Sequence, residues 1–269
     1  MKMGLQTATT MQCNLVTDIK LVRWAGFDEI ELQIPKMEKY FAVGFTLDDL
    51  KATLDGFSVT MLDALYPFEP RDKETRTRLR RDCERYCAWA QAIGCTAVQV
   101  VALDALKDLS WSEARGKYAA SLRDLADIAA PFGVRLGVEP LVWSPFHSLS
   151  QCLEVLDMTE RENVKLNVDT FHLWADGTRV DDLAKLDPNV ILSIHVADTN
   201  PKAEMQWSDD DRTALPGDGV VPLKEMIEVI RATGFDGVWS VEMWSKIHYE
   251  WDPEILINEL KKRMDGLLK

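Results

Sequence analysis

The chain has 269 residues, 46% of them hydrophobic and 28% charged, and carries a net charge of −13 at pH 7. That length suits one large α/β domain, and the composition leaves no case for disorder. The acid excess excludes nucleic acid as a partner, because neutralising phosphates needs clustered Lys and Arg. Cys13, Cys83, Cys87, Cys95 and Cys152 are odd in number and form no C-x-x-C pair, so neither a disulfide framework nor a zinc knuckle is indicated. Reduced thiols fit a cytoplasmic protein, and Cys83 and Cys87, four apart on an expected helix, read as core. The opening MKMGLQTATTMQC has no apolar signal core, and no run reaches the ~20 apolar residues of a membrane span.

In chain order, short β-rich runs alternate with long amphipathic stretches. The expected strands are MGLQTA (3–8), DEIELQ (28–33), SVTMLDA (58–64), AVQVVA (97–102), RLGVEP (135–140), KLNVDT (165–170), LSIHVAD (192–198) and VWSVEM (238–243). The turns AGF, IGC, PFG and TGF each precede a strand, where glycine closes the helix before it. Thr46, Ser110 and the pair Asp252-Pro253 mark helix starts. Eight such rounds without a linker predict a single α/β domain over residues 1–269, a closed (β/α)8 TIM barrel. The competing open doubly wound sheet would carry a Gly-rich phosphate turn after its first strand, and TATTMQCN has none.

In such a barrel the polar residues at the C-terminal strand ends converge on one mouth. The last four strands each bring a metal-capable side chain there: Glu139 in GVEP, Asp169 in NVDT, His195 in SIHV and Glu242 in SVEM. Three carboxylates and an imidazole form an oxygen-rich donor set that suits Mn²⁺, Mg²⁺ or Co²⁺ and admits Zn²⁺. A dication would also relieve the repulsion among the carboxylates.

Around this quartet the sequence offers further candidates. If the sixth strand ends at Asp169, the chain curls over the mouth and brings His172 to a substrate oxygen. Asp198 either orients His195, holds a substrate hydroxyl or caps a loop. The insertion 199–221 reads as a lid, with Trp207 and Arg212 as substrate contacts and Ser208 to Asp211 as a solvated face or helix start. Glu31 lies on the second strand, facing the pocket, the barrel bottom or solvent. Trp143, Trp174 and Trp244 follow three of the four ligand strands, as flat walls for a sugar ring or as core.

These residues, with MKMGLQTATT at the start, DTFH at 169–172, HVADT at 195–199 and DDDRTALPGDG at 209–219, resemble the sugar phosphate isomerase/epimerase superfamily, the xylose-isomerase-like barrels. Within it the pattern looks most like the bacterial inosose (2-keto-myo-inositol) isomerases. The resemblance implies a divalent metal on Glu139, Asp169, His195 and Glu242, and substrate contacts from His172 and Arg212. The run Glu139-Pro140-Leu141-Val142-Trp143 departs from the Glu-Pro-Leu-Asn-Arg of related ketose 3-epimerases, and Trp174 stands where a second His is usual. Endonuclease IV shares the fold, but its three-zinc site needs more imidazoles than the four here.

The activity expected is proton transfer beside the carbonyl of an unphosphorylated polyol ketone through an enediolate, with Glu139 and Glu242 as acid and base. Elimination as in an inosose dehydratase, cleavage of a 3-keto-C-glycoside with a partner subunit, ketose 3-epimerisation, and noncatalytic sugar binding are the alternatives. The sequence leaves open a homo-oligomer.

Overall fold

All eight expected strands form, and each is parallel to its neighbours. The structure, a computed structural model, describes residues 1–203 and 206–269. In order they are β1 (Lys2–Gln6), β2 (Glu29–Gln33), β3 (Ser58–Leu65), β4 (Ala97–Val101), β5 (Arg135–Glu139), β6 (Val164–Asp169), β7 (Ile191–Val196) and β8 (Val238–Val241). Each pairs with the next, and β1 closes the ring against β8, with Leu5 opposite Val241.

The helices outside the ring start and stop where the sequence marks them. Thr46 and Ser110 close reciprocal capping boxes with Asp49 and Glu113, and Asp252 accepts from the first amides of Pro253–Leu268. The glycines of the AGF, IGC, PFG and TGF turns sit at φ between 70° and 95°, which a side chain would strain. Cys83, Cys87, Cys95 and Cys152 are buried as free thiols in the apolar layer between helices and barrel. No described helix is long and apolar enough to cross a membrane.

Strand ends differ from expectation by a residue or two, and the differences matter at the mouth. β1 stops at Gln6 and β8 at Val241, and β6 hands over directly to the short helix Thr170–Ala175. Asp169 is both the last residue of β6 and the N-cap of that helix, accepting from the His172 amide at 2.9 Å.

Side chains two apart on a strand share a face, and the barrel interior stacks accordingly. Its floor is apolar, formed by Met61, Ala97 and Leu192. Gly137 is required there, because a Cβ would lie 2.6 Å from Leu192 Cδ2. Above lie Glu31, Gln99, Asn167, Ser193 and Ser240, all but sealed from solvent. The top layer is the predicted quartet.

Candidate active site

Glu139, Asp169, His195 and Glu242 each offer a ligand atom, and these atoms lie within 4.8 Å of one another. All four residues are buried. His195 is opposite Asp169 on β6 and Ser240 on β8, so the strand register itself brings its ring between the carboxylates. Its Nδ1 is 3.0 Å from both Glu139 Oε1 and Glu242 Oε2. The opposite ring nitrogen, Nε2, is 2.8 Å from Glu31 Oε2.

Glu31 therefore faces inward, beneath His195, and the pocket-or-bottom ambiguity is resolved: its other oxygen accepts from the hydroxyls of Ser193 and Ser240. The sequence held a signal for this layer. Asn167-Val-Asp169, Ser193-Ile-His195 and Ser240-Val-Glu242 each place a small polar residue two before a ligand, hence on the same face. Asn167 Nδ2 accordingly donates to Glu139 Oε1 at 3.1 Å, and Gln99 Nε2 donates to Glu139 Oε2 at 2.6 Å.

Burial and charge divide the carboxyls into two kinds. Burial pushes Glu139 up to about 7 and Asp169 up to about 6, against the pull of His195 on the first and Arg212 on the second. Burial also works on Glu242, but Arg212 and then His195 overcome it and hold that carboxyl well below its usual range. For His195, burial opposes the charged form, yet Glu242, Glu31 and Glu139 raise the imidazole well above its ordinary value. Three buried carboxylates and one imidazole so close together fit a divalent cation, whose charge would offset the penalty of ionising them.

Arg212 reaches into this cluster from the 199–221 segment. It is 2% exposed, lies 2.7 Å from Asp169 Oδ2 and also bonds Glu242. With Glu139, Glu242, Trp143 and Trp244 it lines a 370 Å³ cavity at the mouth. A larger cleft of 470 Å³ lies outside the barrel beside Glu69 and holds none of the quartet.

His172 is fully buried beside the mouth, packed edge-on to Trp143, its Nδ1 accepting from the Val142 amide at 3.3 Å. Its Nε2 has no partner among the described residues. Burial and then Arg212 hold the imidazole well below its ordinary pKa, so it is neutral.

Three expectations are corrected. Asp198 does not touch His195 or the cavity. Its Oδ1 accepts from the amides of Thr199 and Val221 and its Oδ2 from Gly217 and Gly219, which makes it the anchor of the mouth-side loop. Trp207 is turned away from the cavity into an apolar cluster with Phe171 and Ala197, because its large ring finds more apolar surface there than at the polar mouth. Trp174 packs against Trp207 and is likewise no cavity wall, whereas Trp143 and Trp244 are. Within 199–221, Asp209–Asp211 form one 3-10 turn started by Ser208, and Glu204 and Met205 lie outside the described residues.

Residues the sequence reading passed over complete the wall. Gln6 and Gln33 end β1 and β2 opposite the quartet, Asp63 lies two residues before the end of β3, and all three are buried. Gln6 Nε2 bridges Asp63 and Glu242.

Fold and site together define a parallel (β/α)8 barrel with a carboxylate-rich mouth whose four clustered side chains could hold a metal ion. The match is specific: residues 19–264 fit the family model described as Xylose isomerase-like TIM barrel, and the chain belongs to that family. It is 29% identical to an inosose isomerase of Halalkalibacterium halodurans, covering 97% of this chain and 94% of the relative. It is 28% identical to an inosose isomerase of Bacillus subtilis, covering 97% and 96%. Among solved structures, the IOLI protein with a bound zinc atom superposes at TM-score 0.94 with 26% identity, covering 100% of this chain and 98% of the other.

Proposed function

We propose that the chain is a divalent-metal-dependent isomerase or epimerase that moves a proton beside the carbonyl of an unphosphorylated polyol ketone, with inosose as the reference substrate. The observation that carries this reading is the pair Glu139 and Glu242. Both line the same cavity, and both lie against His195 Nδ1, from strands that enter the mouth on either side of β6 and β7.

Glu139, Asp169, His195 and Glu242 would hold the metal, which supplies positive charge against the oxygens of an α-hydroxyketone and so acidifies the intervening C–H. Mn²⁺ is the first choice for a mostly oxygen donor set, and Zn²⁺ has the precedent of the relative's bound zinc. Glu242, kept ionised by Arg212 and His195, is suited to take a proton. Glu139, which lines the same cavity from β5, is suited to return one. Neutral His172, whose Nε2 has no partner among the described residues, and the Arg212 guanidinium would bind substrate oxygens. Trp143 and Trp244 would exclude water from the reacting carbon.

Proton NMR of 2-keto-myo-inositol in D₂O with Mg²⁺-loaded enzyme tests the proposal. Deuterium appearing beside the carbonyl, with a new isomer, is expected. Glu242→Gln should bind metal yet lose at least ~100-fold in exchange rate. Loss of water from the substrate would instead assign a dehydratase, which begins with the same proton abstraction. Full exchange by Glu242→Gln would remove its role as base.

A further inference from the structure

The four metal-capable residues occupy only half of the mouth. The facing half, from β1 to β4, carries Gln6, Gln33, Asp63 and Gln99, so its chemistry must deal with whatever part of a substrate points away from the quartet. Gln6 is consumed by the protein, its amide by Asp63 and Glu242 and its carbonyl by the Ala8 amide. Gln99 donates to Glu139 and keeps an unpartnered Oε1 among the described residues. Asp63 and Gln33, on adjacent strands, keep hydrogen-bonding capacity for the cavity as well. Asp63 Oδ2 accepts from Gln6, but no described residue donates to Oδ1, and no hydrogen bond among the described residues uses the Gln33 carboxamide. Both residues line the 370 Å³ cavity, and both are buried, at 7% and 5% exposure.

Their spacing is set by the sheet. Gln33 and Asp63 are direct partners in the β2–β3 register, so a carboxyl and a carboxamide stand side by side on adjacent strands, about 4.8 Å apart. Each can both donate and accept, which is the complement of two neighbouring hydroxyls. The geometry points to Asp63 and Gln33 as the specificity-determining grip on a vicinal diol remote from the reacting carbonyl, selecting a neutral polyhydroxylated ring and rejecting a phosphate at that end. Burial and the Glu242 charge hold the Asp63 carboxyl well above its usual range, so a phosphate there would meet a buried neutral acid and a carboxamide, neither of which offers it positive charge. Among the described residues the one guanidinium lining the cavity, Arg212, is already paired with Asp169 and Glu242 across the mouth.

This inference rests on the proposed polyol-ketone activity, and one experiment separates the two. The metal-loaded enzyme and its Asp63→Leu and Gln33→Leu variants are compared on 2-keto-myo-inositol and on monodeoxy analogues that each lack one hydroxyl of the diol opposite the ketone. Calorimetric metal titration of each variant reports that the quartet is intact. In the wild type, deleting one of these hydroxyls should lower kcat/KM by roughly 10-fold, as for a hydrogen bond between neutral groups. In Asp63→Leu, the parent substrate should lose about as much, mostly through KM, while the deoxy analogues lose little more. Gln33→Leu should behave similarly with a smaller loss, and both variants should titrate metal as the wild type does. Should Asp63→Leu discriminate parent from deoxy analogue as strongly as the wild type does, the diol grip is wrong and the activity stands. Absence of turnover and of binding for every ketone in the wild type would overturn the activity and this inference with it.

Discussion

Glu31 Oε2 lies 2.8 Å from His195 Nε2, on the ring edge opposite the Nδ1 that faces Glu139 and Glu242. A carboxylate behind an imidazole fixes its rotation and tautomer and raises its basicity toward a metal. Glu31 is itself locked by Ser193 and Ser240, so the orientation is built from the barrel's middle layer upward. Glu31→Gln should therefore weaken Mn²⁺ or Zn²⁺ binding by about 10–100-fold without removing any ligand. Isothermal titration decides it, and wild-type affinity in Glu31→Gln would reduce Glu31 to a buried counter-charge.

Protons and metal compete for the same carboxyls. With Glu139 raised to about 7 and Asp169 to about 6, both mainly by burial, each still holds a proton where an ordinary carboxyl has lost it. In chelator-treated protein these raised acids cost stability as pH climbs through their range. The raised His195 contributes stability that is fully present below its ordinary 6.5 and is lost as pH rises through its folded value. Both effects run the same way. Metal affinity, and the gain in Tm on adding metal, should thus increase between about pH 5.5 and 8. Melting curves with and without Mn²⁺ across that range test this, and a pH-independent gain would contradict it.

How much of this was legible beforehand differs between the two halves of the mouth. Glu139, Asp169, His195 and Glu242 stand out because each interrupts an apolar strand just where it ends. On β1 to β3 the corresponding residues include two glutamines, which signal no metal, and Asp63 reads as one acid among many until the register sets it beside Gln33. Glu31 was ambiguous because a buried carboxylate needs partners, and its serines lie more than 160 residues away in sequence. Asp198 and Trp207 went astray for another reason. Both sit in or beside the 199–221 loop, where no periodicity assigns a face, and a Trp suits an apolar cluster as well as a sugar wall.

Outside the mouth, Glu69 is 2% exposed, with Oε1 accepting from Leu103 and Ala105 and Oε2 unpartnered among the described residues. Burial pushes its carboxyl from the ordinary 4.5 up to about 7. An acid with a raised folded pKa costs nothing below its unfolded value and destabilises increasingly as pH rises toward the folded one. Glu69→Gln, which keeps the Oε1 acceptor, should be no more stable than the wild type at pH 4.5. It should become more stable by up to about 3 kcal/mol at pH 8. Urea unfolding at the two pH values measures the difference, and a constant offset would show that Glu69 ionises freely.

Asp198 offers the sharpest contrast between positioning a loop and tuning a ligand. It is three residues after His195, yet its two oxygens collect four backbone amides from Thr199, Gly217, Gly219 and Val221. Gly219 packs so tightly on this carboxylate that a Cβ there would collide with it. Removing the acceptor strands buried amides, and Asp198→Ala should cost roughly 2–4 kcal/mol. The loss should fall on the loop, so hydrogen exchange at residues 217–221 should accelerate while metal affinity stays within about threefold, since Asp198 itself bonds none of the four ligands. Arg212 rides on the same loop, so exchange of substrate protons should also drop, through KM before kcat. If metal binding collapsed while the loop amides stayed protected, Asp198 would instead act through His195.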